Sequence, residues 1–203
     1  MQDYEVAMGS VPDEQPGARI AFWALVALFV LGEWVMRIRS LVNRSGAREE
    51  RWSLLAVVVG VVGGLLGGFA LSKWQAASMS ALAWPIFVVG LALMSAGIAI
   101  RQWSIFTLGP FFTAEVRVRA GQPVIDRGPY RWVRHPSYSG MILFFVGLGL
   151  ALSNWASLTI LVLLPTAGLV VRIRHEEHAL LVGLGESYRR FSSTRAHLFP
   201  GLW

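Results

Sequence analysis

The sequence predicts an all-α integral membrane protein: a helical bundle with about five transmembrane helices, the last two a helical hairpin, followed by a cytoplasmic amphipathic C-terminal helix. Three observations predict it. Of the 203 residues 55% are hydrophobic and only 15% charged, against about 25% charged in an ordinary soluble domain, too few polar groups to coat a soluble globule. The apolar residues fall into runs that, at about 1.5 Å per helical residue, cover a hydrocarbon core of about 30 Å. The formal charge of +6 comes almost wholly from arginines, and nearly all of them flank the apolar runs as orienting cytoplasmic residues do, instead of lining one polar face. Membrane lipids are therefore expected partners and nucleic acid is not. The absence of cysteine removes disulfide frameworks, thiolate metal sites and thiol nucleophiles.

Residues 1–17 are polar and acidic, with Asp3, Glu5, Asp13 and Glu14, and lack the basic start and cleavage site of a signal peptide. They read as a loosely ordered N-terminal tail. Residues 18–106 read as three transmembrane helices. The first, over residues 18–38, is apolar apart from Arg19, Glu33 and Arg37, and Glu33 is expected to pair with Arg37 one turn later. The second, over residues 52–71, is bracketed by Trp52 and Trp74 as interfacial aromatics. Its Gly60, Gly63, Gly64, Gly67 and Gly68 form overlapping small-xxx-small patterns, which let helix backbones approach closely. A phosphate loop would need a preceding strand and a following Lys-Ser/Thr, and the run has neither. The third helix, over residues 84–106, tolerates Pro85 in its first turn.

Residues 107–203 carry the polar chemistry. Within them, residues 138–152 and 158–171 are apolar stretches of about 15 and 14 residues, short against the ~20 of a full crossing. Only Ser153-Asn154-Trp155 stands out between them, so they read as a tight helical hairpin whose second arm continues past Arg172. Four arginines lie in residues 39–51, five in residues 107–136 and five from Arg172 onward, against Lys73 in the loop between the second and third helices. The positive-inside rule then places the N-terminus outside, and the C-terminus with the polar site in the cytoplasm.

Two segments concentrate reactive groups. In Gly128-Pro129-Tyr130-Arg131-Trp132-Val133-Arg134-His135-Pro136-Ser137-Tyr138 the Gly-Pro and His-Pro dipeptides impose turns. Between those turns stand two phenols, an imidazole, a serine hydroxyl and guanidinium groups, at the head of the hairpin. In Arg172-Ile173-Arg174-His175-Glu176-Glu177-His178, Arg172 and Glu176 share a helix face. His175 and His178 are three apart, where the helical zinc signature spaces its histidines by four, and no metal is expected. Residues 185–191, after Leu180, Leu181, Val182 and Leu184, read as the amphipathic end of the helix at the interface, a reading sufficient by itself.

Taken together, the eleven-residue string from Gly128 to Tyr138, Arg172-x-x-x-Glu176-Glu177 about 35 residues later, and Gly185-Glu186-x-Tyr188 resemble the isoprenylcysteine carboxyl methyltransferase family and its phospholipid methyltransferase relatives. The resemblance covers roughly residues 107–191. It implies an integral membrane enzyme that uses S-adenosylmethionine. It further implies that Tyr130, His135, Pro136, Ser137 and Tyr138 surround the cofactor, that Gln122, Pro123, Val124 and Ile125 line its pocket, that Glu176 meets it, and that Arg172 binds the substrate. Glu115 stands where some relatives place a cofactor-contacting glutamine.

The residue chemistry is compatible with that implication. Glu176 can meet an amino group, Tyr130, His135 and Tyr138 can donate to a carboxylate, and the hairpin can wall in a purine. A carboxylate acceptor needs no general base, and Arg172 could hold it bidentately; an amine acceptor would need one, with His135 or Glu177 as candidates. The resemblance favours a lipophilic or prenylated acceptor with a carboxylate. An amine headgroup and a small isoprenoid or thiol remain open on the residues alone, as does a non-enzymatic transporter or assembly subunit with a polar pore lining. No Gly-x-Gly-x-x-Gly follows a strand, so no Rossmann-type cofactor domain is expected.

Overall fold

The structure is a computed structural model and describes residues 16–42, 51–79, 83–112 and 122–201. Residues 1–15 of the expected tail over residues 1–17, the arginine-rich loop over residues 43–50, and Arg117, Arg119 and Glu115 lie outside the described residues, while Pro16 and Gly17 already belong to the first helix. Six α-helices follow in order among the described residues: α1 (Pro16–Val42), α2 (Arg51–Leu71), α3 (Ala83–Leu108), α4 (Pro136–Ala151), α5 (Trp155–Leu184) and α6 (Glu186–Ser193). Among the described residues there are no strands, only two isolated bridges.

Four helices among the described residues are long and apolar enough to cross a membrane, and α4 is a shorter apolar helix. At about 1.5 Å per residue the 16 residues of α4 span about 24 Å, while the 30 of α5 span about 45 Å. The hairpin is thus asymmetric, and α5 projects beyond its partner as the continuation past Arg172 requires. Asn154 starts α5 by accepting from the Ser157 amide at 3.0 Å, which satisfies one of the donors a helix start leaves open.

Glycine decides which helices touch. Gly60, Gly64 and Gly68 form one stripe of α2, and a Cβ there would lie 2.5 Å from the Leu164 carbonyl oxygen, 3.0 Å from the Pro165 ring and 2.5 Å from Leu161 Cγ. The small-xxx-small reading of this helix is therefore a packing surface, and α5 is what it packs on. The other face of α2 presents Leu55, Val59, Val62 and Leu66, all exposed, as a lipid-facing stripe must. Between α3 and α4 the same device works from both sides: a Cβ on Gly97 would lie 2.6 Å from the Gly140 carbonyl oxygen, and one on Gly140 would lie 2.6 Å from that of Gly97. Helix α1 lies against α3 and α4, with Phe29 stacked on Phe144 at 3.9 Å between ring centroids.

The Arg37 side chain lies outside the described residues, and the expected Glu33–Arg37 pair with it; Glu33 is held across helices. Both of its carboxylate oxygens accept from Arg101 of α3, the Oε2 contact at 2.9 Å. The reason is electrostatic: Arg101 is buried within an apolar helix, and a cation at that depth requires an opposite charge beside it. Counting charges along a single helix finds only neighbours one turn away.

The two ends of the bundle differ in chemistry. At one end the α4–α5 turn is tied to the loop after α2: Asn154 Nδ2 donates to the Trp74 carbonyl at 2.9 Å, the Met79 amide to the Ser153 carbonyl at 2.8 Å, and Ser157 Oγ to the Gly68 carbonyl at 2.7 Å. The charged groups collect at the other end.

Replacing Gly97 by leucine forces α3 and α4 apart, because the new Cβ meets backbone that cannot swing away. Overpacking of this kind costs about 1–3 kcal/mol or more. Thermal unfolding in detergent should show that loss for Gly97→Leu and none for Gly17→Ala, whose Cβ meets nothing within 4 Å.

Candidate active site

The site begins with two turns. Gly128 has φ +56 and its Cβ position is 2.8 Å from Thr107 Oγ1, so only glycine meets both the left-handed backbone and the close approach. It opens the 3-10 turn Gly128–Arg131, which tucks Tyr130 under the bundle. Pro136 then occupies the first turn of α4, where its missing N–H is no loss. His135 stands just before it, and Ser137 and Tyr138 follow in that first turn. The chain end secures this arrangement: the Arg134 amide donates to the Ala196 carbonyl and the His135 amide to the His197 carbonyl, each at 2.9 Å, and Ser139 Oγ donates to the Leu198 carbonyl.

Across from these turns α5 presents Glu176 and Glu177. Glu176 Oε1 accepts from Tyr138 at 2.6 Å and from Arg172 Nε at 2.9 Å, and its Oε2 lies 3.5 Å from His135 Nδ1. Glu177 Oε1 contacts His135 Nε2 at 2.8 Å and accepts from Tyr188 at 2.7 Å, while Oε2 accepts from Arg134 Nη1 at 2.9 Å. Arg134 Nη1 also faces His197 Nε2 at 3.0 Å. Arg172 Nη1 donates to Ser53 Oγ of α2 at 2.9 Å.

A cavity of about 870 Å³, its open mouth included, lies against this cluster. Of the residues singled out in the sequence, Gln122, Pro123, Val124, Ile125, Tyr130, His135, Ser137, Tyr138 and Glu176 line it. Pro136 and Arg172 do not; both are buried behind the lining, and Arg172 touches the cavity wall through Glu176. Sequence reasoning passed over Arg134, Ser53 and Arg101, and it read residues 185–191 as an interfacial helix end sufficient by itself. Gly185, at φ +58, breaks the chain there into the separate helix α6, which turns Tyr188 and Phe191 inward. The Gly-Glu-x-Tyr spacing was the available signal for Tyr188, whereas a lone serine at the start of an apolar run carried none for Ser53. His175 Nδ1 faces the Val171 carbonyl of its own helix at 2.9 Å, and no three metal-binding side chains converge among the described residues.

A family model described as "Isoprenylcysteine carboxyl methyltransferase (ICMT) family" matches residues 88–182. Over this stretch the chain is similar to the isoprenylcysteine carboxyl methyltransferase family. The uncharacterized protein YpbQ of Bacillus subtilis is 30% identical over 81 residues, covering 40% of this chain and 48% of that protein. A probable protein-S-isoprenylcysteine O-methyltransferase of Oryza sativa is 32% identical over 111 residues, covering 54% of this chain and 58% of that one. The chain thus spans about half the length of these curated relatives. Its fold matches that of the eukaryotic intramembrane Ras methyltransferase ICMT with a TM-score of 0.61 at 20% identity, over 87% of this chain and 65% of that one. The isoprenylcysteine carboxyl methyltransferase match takes in the two turns, α4 and both glutamates, and leaves out α1 and α2 with Glu33 and Ser53.

Burial and neighbouring charges set the electrostatics of this region. Burial alone would lower the pKa of His135, but its hydrogen bonds to Glu176 and Glu177 and their charges outweigh burial and hold it above the ordinary imidazole value of 6.5. A carboxylate only accepts, so the ring nitrogens face these contacts as donors, Nε2 to Glu177 at 2.8 Å and Nδ1 toward Glu176 at 3.5 Å. Burial, with the Glu176 charge, pushes the Tyr130 phenol up, and burial with Glu177 does the same to Tyr188. These phenols act as donors. Burial and the neighbouring Arg134 cation push His197 down, which leaves a neutral ring able to accept from Arg134.

The raised pKa of His135 has a definite sign. Its contribution to stability is present in full below the unfolded value of 6.5 and is lost as pH rises through the higher folded value. Thermal midpoints measured from pH 6 upward should fall across that window. In His135→Gln this part of the slope should flatten.

Proposed function

We propose that this chain is an integral membrane S-adenosylmethionine-dependent methyltransferase whose acceptor is a lipophilic carboxylate, such as that of a prenylated cysteine. The observation that carries the reading is the cavity, whose wall joins a hydrogen-bonded carboxylate, phenols and an imidazolium to apolar side chains such as Leu108, Phe111, Leu180 and Phe191. That donor set suits a nucleoside bearing an amino-acid end, a few placed polar groups in an otherwise apolar wall. S-adenosylmethionine, when bound, supplies a methyl group on a cationic sulfonium.

Glu176, itself held by His135, would hold the cofactor's ammonium group, while Tyr130 donates to the cofactor's carboxylate. Gln122, Pro123, Val124 and Ile125 would wall in the nucleoside, and Pro136 would act by shaping the turn. What remains for the chain is to orient the acceptor, a contribution that can reach about 7–11 kcal/mol. Arg172 is our candidate for this orienting role, because exchanging Ser53 Oγ for the acceptor's carboxylate leaves Nε on Glu176 and gives the acceptor a guanidinium partner.

The state of the bases favours a carboxylate over an amine. An amine must lose a proton to a base. His135 already carries its protons toward two glutamates, and Glu177 accepts from His135, Arg134 and Tyr188. A carboxylate asks nothing of either. Orientation in the bilayer follows the arginine distribution, with the site on the cytoplasmic side and the Asn154 turn outside; the separation of the charged end from the end tied by Asn154 supports it.

Calorimetric titration with S-adenosylhomocysteine tests the reading. Wild type should bind; Glu176→Ala should weaken binding by about tenfold or more, the worth of a charged hydrogen bond. Arg172→Ala should weaken it less, since Arg172 acts on the cavity through Glu176, and should abolish turnover. A folded wild type that does not bind, or variants that retain full methyl transfer, would refute it. With labelled cofactor and a total lipid and peptide extract, the labelled product should be a base-labile methyl ester.

A further inference from the structure

Helix α1 lies outside the family match, which starts at residue 88, yet Glu33 connects it to the cavity wall in two steps. Glu33 accepts from Nε and Nη2 of Arg101 on one edge of the guanidinium, the second at 2.9 Å. That fork fixes the plane of the group. Its other edge then faces α4, where Nη1 donates to Ser137 Oγ at 2.8 Å and to the Ser137 carbonyl at 3.2 Å. Ser137 is buried and lines the cavity. Because its oxygen accepts from a cation, the hydroxyl proton must point to another acceptor, and the polarised O–H is a stronger donor than that of a free serine.

A buried ion pair adds little net stability once desolvation is counted, so holding α1 to α3 is a weak reason for this arrangement. We propose that Glu33 and Arg101 are positioning residues that make the Ser137 hydroxyl an oriented donor to the anionic end of the ligand in the cavity, so that the first transmembrane helix completes the ligand site. This rests on the cofactor reading above, with the cofactor's carboxylate as the anionic group.

The test is a thermodynamic cycle on the full chain in lipid nanodiscs, read as S-adenosylhomocysteine affinity by calorimetry. One arm is Ser137→Ala. The other is Glu33→Gln with Arg101→Gln, which removes both charges together and leaves neither buried alone. Each arm should lose about tenfold in affinity. The combined variant should lose no more than about twofold beyond the larger single loss, since all three residues act through one hydroxyl. Losses that multiply, or an arm that binds as wild type does, overturn the inference and leave the cofactor reading standing. No binding by wild type overturns that reading and the inference with it. Should the charge-removed pair fail to fold, Arg101→Lys replaces it, keeping a cation for Glu33 while losing the fork, with the same criterion.

Discussion

Two neighbouring carboxylates on α5, Glu176 and Glu177, set the requirement that the rest of the structure meets. Both are mostly buried, with side chains 16% and 14% exposed. Adjacent like charges repel, and each is costly to desolvate unless cations or hydroxyls surround it. The partners come from every nearby segment: Arg172 from the same helix, Tyr138 from α4, His135 and Arg134 from the turn before it, and Tyr188 from α6. The placement of α6 and of the chain end is a consequence. Without the inward turn at Gly185 and the strap of Ala196 and His197 behind the His-Pro turn, these charges would lose the groups that neutralise them.

Such a cluster needs a stiff frame, since hydrogen bonds between 2.6 and 2.9 Å tolerate displacement of only a few tenths of an ångström. Lipid gives helices no hydrophobic reason to associate, so the frame depends on close packing. Glycine supplies it along both seams, α2 on α5 and α3 on α4. On α2 the large side chains of Leu55, Val59, Val62 and Leu66 turn outward, while its glycines do the positioning. Chemistry and packing are thereby divided between different residues of the same helices: Ser53 and the glycine stripe share α2, and Arg172 and Pro165 share α5.

Much of this was legible in the sequence. Apolar run length gives the helices, Ser153-Asn154-Trp155 gives the hairpin turn, and the string from Gly128 to Tyr138 with Arg172 and Glu176 gives the core of the site. Local physics governs these features, because a turn or an i, i+4 pair is written within a few residues. What could not be read is the pairing between distant helices. Glu33 meets Arg101 across 68 positions and Arg172 meets Ser53 across 119, and no periodicity encodes such partners. Glu33 shows why: a helix pattern offers partners one turn away, whereas its bond to Arg101 comes from another helix. Residues 185–191 were underestimated similarly, since an amphipathic pattern records that one face is buried and not what it is buried against.

The ties around Asn154 have a mechanical consequence. Three hydrogen bonds join the α4–α5 turn to the end of α2 and the loop that follows it, so that end behaves as the closed joint of a pair of tweezers. At the tips α2 meets α5 through Ser53 and Arg172, with Gly168 of α5 packed against the Ala56 carbonyl of α2. Any displacement there is passed on to the glutamate cluster, because Arg172 is bonded to Ser53 and to Glu176 at once.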